Sequence, residues 1–102
     1  MANLYITEYA KLAHDVDGNP LQVPEEPALA EQAVSFTTST QSAALNRLTT
    51  VVRLLADADC HIKFGTNPTA TTSHQKLEAN VEYLRGIKRG YTNLEIAAVT
   101  AS

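Results

Sequence analysis

Tryptophan is absent from this chain, cysteine occurs once, phenylalanine twice and glycine four times. Each scarcity removes a class of function. A single cysteine forbids an internal disulfide framework. The glycines form neither a Gly-Xaa-Ser-Xaa-Gly elbow nor a glycine-rich phosphate loop. No apolar run approaches the roughly 18 residues a membrane-crossing helix needs. The opening Met1-Ala2-Asn3-Leu4-Tyr5-Ile6 lacks a basic stretch leading into an apolar one, so it does not read as a signal peptide. The expectation is a soluble chain made in the cytoplasm, with no membrane partner. Lysine and arginine total eight against eleven acidic residues, for a net charge of −3, and only Lys88-Arg89 are adjacent. Phosphate contacts supply most nucleic-acid affinity, so no direct nucleic-acid binding is expected.

What is present fits one domain over residues 1–102. The chain has 102 residues, 44% of them hydrophobic, and at that length folding buries roughly two-thirds of the unfolded surface. Large aromatics are few, while alanine and threonine are abundant, which suits a thin core and strands with hydroxyl-bearing exposed positions.

From Val52 to Phe64 every even position is apolar: Val52, Leu54, Ala56, Ala58, Cys60, Ile62 and Phe64. Between them lie Arg53, Asp57, Asp59, His61 and Lys63, with Leu55 the one exception. Side chains on a strand alternate faces, so this is the signature of half-buried β-structure. Strands are expected at Leu4–Tyr9, on both sides of the Asp17-Gly18-Asn19 turn (near Tyr9–Val16 and Leu21–Val23), at Glu31–Thr40, at Thr50–Ala56 and Cys60–Phe64, at Leu77–Tyr83, and at Leu94–Ala98. Pro20, Pro24 and Pro27 make residues 20–28 an extended connection or an edge. Gly86 and Gly90 bracket a turn. Over 43–58, Leu45, Leu48, Val52 and Leu55 also suit a helix, but the β-branched run Thr49-Thr50-Val51-Val52 favours strands. The fold class is all-β: a small antiparallel β-sandwich or jelly-roll-like barrel of about seven or eight short strands.

Asp57, Asp59 and His61 share strand parity and could surround a divalent cation, but the same alternation yields a plain solvated face. His14, His61 and His74 stand far apart with no nucleophile motif beside them. Cys60 falls in the apolar register and reads as a buried structural thiol. No enzyme activity and no cofactor are expected. Glu25-Glu26 in the proline-rich connection could hold a basic partner surface. Tyr5 and Tyr9 share a parity, as do Tyr83 and Tyr91; such positions suit a core edge, and tyrosine is also favoured at protein interfaces. Tyr5, Tyr9, Glu25 and Glu26 are the candidate partner-docking residues.

The segment Thr37-Thr38-Ser39-Thr40-Gln41-Ser42-Ala43-Ala44-Leu45, followed by Val52-Arg53-Leu54-Leu55-Ala56-Asp57, Cys60-His61-Ile62-Lys63-Phe64-Gly65 and Asn67-Pro68-Thr69-Ala70-Thr71, resembles small β-sheet proteins encoded in the structural gene blocks of tailed bacteriophages. Tyr9-Ala10, Asp17-Gly18-Asn19 and Val81-Glu82-Tyr83 fit the same pattern. The resemblance implies a virion component, and a head decoration or cement protein on the capsid surface suits the chain best. Its partners would then be the major capsid protein and further copies of itself, as trimer or dimer. A head–tail connector, a tail component or a virion-surface carbohydrate-binding module are the competing roles; the last is weakened by the lack of tryptophan.

Overall fold

Alternation of apolar and polar residues dictates the architecture. The structure, a computed structural model, describes residues 2–24, 26–88 and 93–101. Its strands are β1 (Ala2–Tyr9), β2 (Leu12–His14), β3 (Pro20–Pro24), β4 (Ala30–Phe36), β5 (Thr40–Gln41), β6 (Val51–Ala56), β7 (Cys60–Gly65), β8 (Gln75–Leu77), β9 (Glu82–Gly86) and β10 (Glu95–Thr100). No helix occurs among the described residues. Eight strands form two antiparallel four-stranded sheets, in the orders β4-β1-β6-β9 and β5-β10-β7-β8, while β2 and β3 make a separate hairpin. The two sheets pack as a small β-sandwich, the expected class.

The inward positions are the ones the alternation marks. Leu4, Ile6, Val34, Phe36, Val52, Leu54 and Ala56 from the first sheet meet Cys60, Ile62, Leu77, Ile96 and Ala98 from the second. Leu45 and Leu94 also join this core. Fully burying each Leu or Ile contributes about 1.5–3 kcal/mol. Outward Ala97 is buried as well, for a reason that emerges at the second sheet's outer face.

Two expectations are corrected. Leu77–Tyr83 is not one strand: β8 ends in the second sheet and β9 begins in the first. Between them Asn80 sits at φ 62°, a left-handed conformation that turns the chain from one sheet to the other and leaves Val81 exposed. Likewise Glu31–Thr40 breaks after Phe36 and resumes as β5 opposite β10. The hydroxyl-rich residues mark this crossing, where the Thr37 carbonyl accepts the Thr100 hydroxyl at 2.8 Å. Over 43–58 the preference for strands over a helix holds, and 43–50 is irregular. Leu45 is buried while Leu48 is 64% exposed, so the helical spacing serves no packed helix and β6 begins at Val51.

The Asp17-Gly18-Asn19 turn stands as read. Gly18 has φ 84°, which glycine alone adopts without a Cβ penalty. Asp15 Oδ1 accepts the Asp17 and Asn19 backbone N–H groups, both at 2.9 Å. Those donors hold the Asp15 carboxyl below its ordinary pKa. The prolines end β3 on either side within the two-stranded hairpin, an edge position as expected. Of the Gly86–Gly90 turn, Ile87 N donates to Thr50 O at 2.8 Å, and Arg89 and Gly90 lie outside the described residues.

Candidate functional site

Because β1 alternates, Leu4, Ile6 and Glu8 point inward and Asn3, Tyr5, Thr7 and Tyr9 point outward. The registers then set outward residues side by side across the first sheet. One row runs Ala33, Tyr5, Leu55, Glu82, and the next Glu31, Thr7, Arg53, Leu84. Tyr5 is 45% and Leu84 39% exposed, with Leu55 half-buried between their strands. Arg53 Nε lies 2.9 Å from a Glu82 carboxylate oxygen. That pair is exposed and contributes about 0–1 kcal/mol, so it orients the face more than it stabilises the fold. An aromatic, two leucines and an arginine side by side on one sheet face have the composition of a protein-binding surface.

Tyr9 shares this parity but not this exposure: only 1% of it meets solvent. Its hydroxyl donates to a Glu26 carboxylate oxygen at 2.7 Å, and Leu29 N donates to Glu8 O at 2.7 Å. The connection after β3 is thereby strapped to the end of β1. Burial raises the Tyr9 pKa, with the Glu26 hydrogen bond adding and Arg53 opposing. Thus Tyr5 lies open on the face, whereas Tyr9 and Glu26 are engaged with each other. Glu25 lies outside the described residues, as does Tyr91. Sequence reasoning passed over Leu55, Leu84, Arg53 and Glu82 as surface candidates. Leu55 carried a signal, since it alone broke the polar register of its strand.

The outer face of the second sheet is built differently. Gln41 Nε2 donates to Asn67 Oδ1 and to the Pro68 carbonyl, both at 2.8 Å, and Ala70 N donates to Ser39 Oγ at 2.9 Å. The segment after β7 is thus fastened to β5 and the crossing before it, with Pro68 and Ala70 buried. Its cover accounts for Ala97, outward by parity, having no exposure.

Asp57, Asp59 and His61 serve separate backbone partners. Asp57 Oδ1 accepts Asn3 N at 2.7 Å, and Asp59 Oδ1 accepts Ala79 N at 2.8 Å. His61 Nδ1 donates to the His74 carbonyl at 3.0 Å, while His74 Nδ1 accepts Thr71 N at 3.0 Å. Among the described residues, no group of three His, Cys, Asp or Glu side chains is gathered as a metal site. Cys60 is buried and unpaired; burial, helped by nearby Asp59, pushes its thiol up to about 11. Comparison with family models, with curated proteins and with solved structures yields no match.

Proposed function

We propose that this chain is a non-catalytic virion protein of a tailed bacteriophage. In this reading it is a head decoration protein that binds neighbouring capsid subunits through the outer face of its first sheet. The observation that carries the reading is the tract of exposed Tyr5 and Leu84 with half-buried Leu55 between them, beside Arg53 and Glu82, on a sheet whose opposite face is locked into the core. A surface of this kind needs area and rigidity, not an active centre. The β2–β3 hairpin, paired with neither sheet, supplies an arm, and Val16 at its turn is fully exposed. With the chain 47 Å along its longest axis, a face and an arm together suit bridging between two subunits.

Quantitative mass spectrometry of purified virions tests this. The expected copy number is comparable with that of the major capsid protein. A small ring-like number moves the chain to the connector or tail, and absence from the particle rejects a virion role.

A further inference from the structure

Main-chain N–H and C=O groups on an antiparallel strand point alternately to its two sides. Leu29 N donates to Glu8 O, and Asp57 N to Asn3 O at 3.1 Å. Combined with the registers, these bonds turn the even residues of β1 toward β4 and the odd ones toward β6. On β4 the even residues therefore face β1, and the N–H and C=O groups of Glu31, Ala33 and Ser35 face away from the sheet. Among the described residues nothing bonds to them; the Ser35 hydroxyl donates to Asn3 Oδ1, but that is its side chain.

The other edges are blunted in the ways that keep strands from adding to one another. Strands β5 and β8 have two and three residues. On β9 the Leu84 carbonyl is capped by the Arg85 guanidinium at 3.0 Å. In the hairpin, β2 has three residues and β3 carries proline at both ends. By contrast β4 offers seven residues, Ala-Glu-Gln-Ala-Val-Ser-Phe, without proline, lysine or arginine.

We infer that β4 is the pairing edge for a second copy of this chain, antiparallel about a two-fold axis at Ala33. In that register Ala33 faces its own counterpart and Glu31 faces Ser35 of the other copy, in both directions. All three free residues of each edge are then used, in roughly six main-chain hydrogen bonds. A two-fold axis at Glu31 would set two carboxylates against each other, which is unfavourable. In this register the free main-chain groups of the edge meet their own counterparts symmetrically and no like charges face each other, so a second copy satisfies the whole edge at once. The two first sheets become one continuous sheet of eight strands. Tyr5, beside Ala33 in each copy, flanks the seam, where the small alanine leaves room. This pairing goes beyond the virion reading and does not depend on it.

The purified chain alone tests it. In sedimentation velocity the wild type has twice the mass of one chain and dissociates on dilution, whereas Ala33→Lys is monomeric with an unchanged far-UV circular dichroism spectrum. Ala33→Pro is the second variant. It removes a donor that the chain's own sheet does not use, as edge prolines do. Hydrogen exchange on the wild type gives a readout independent of any variant's folding. The Glu31, Ala33 and Ser35 amides exchange at least about tenfold more slowly in concentrated than in dilute solution. A wild type that stays monomeric, a dimer that survives Ala33→Lys, or three amides whose exchange ignores concentration each overturns the inference.

Discussion

Glu8 ends the inward series of β1, only 2% exposed, and one carboxyl oxygen takes two donors: Asn46 N at 2.6 Å and Thr49 Oγ1 at 2.8 Å. It pins the irregular 43–50 segment to the end of the sandwich. Glu8→Ala strands both donors, and a loss of about 2–3 kcal/mol is expected in urea unfolding. Glu8→Gln, which keeps a carbonyl acceptor, is expected to cost less. At Cys60 the consequence is a pH dependence. An unfolded thiol ionises near its ordinary 9.0, whereas the folded one holds its proton to about 11. Below pH 9 both states are protonated and the thiol contributes nothing to the slope. Between the two values the unfolded state releases a proton that the folded state retains, so stability falls as pH rises. Unfolding midpoints from pH 8 to pH 11 (about the span the thiol covers) should decline less steeply for Cys60→Ala than for the wild type. A native thiol that reacts with a thiol reagent at neutral pH as fast as the denatured chain contradicts its burial.

At the scale of elements, Asn80 decides which sheet the chain enters. Its φ of 62° is tolerated by asparagine and resisted by β-branched residues, so Asn80→Val should lower stability by about 1–2 kcal/mol while Asn80→Gly is close to neutral. Calorimetric melting of the two variants checks this. The same residue shows what the sequence could not convey. Leu77, Ala79, Val81 and Tyr83 keep a period of two across the break, and periodicity registers the face of a residue but not the sheet it belongs to. Strands β1, β6, β7 and β10 were legible because each alternates within one sheet, and the hairpin because Gly18 needs its positive φ. The crossing after Phe36 was hidden because threonine and serine suit a strand end and a bend alike. The exposed outer face of the first sheet was half legible. Tyr5 follows from parity, but parity grouped it with Tyr9, whose burial comes from Glu26, 17 residues further along the chain. Leu84 and Arg53 become neighbours only once the β6–β9 register exists.

The whole molecule is two-faced. One sheet wears its own loop over Ala97, and the other leaves Tyr5 and Leu84 exposed around half-buried Leu55. If the bare face docks on the shell, Tyr5→Ala combined with Leu84→Asp lowers incorporation into particles by about tenfold or more, with the melting temperature little changed. A substitution at exposed Lys63, on the second sheet, leaves incorporation intact. Copies per particle measured for both variants separate these outcomes, and equal losses from the two faces would count against the assignment. The central position of β10 in its sheet also sets a schedule for synthesis. Strands β5 and β7 are made earlier, yet both pair with β10. The second sheet thus cannot join β5 to the β7–β8 pair until residues 95–100 have left the ribosome, and until then the lid over the apolar side of the first is incomplete. Completing the sandwich closes long loops, so its folding is expected to be slow beside a helical domain of this size. The nascent chain, with its strands written but unpaired, is the form most exposed to aggregation.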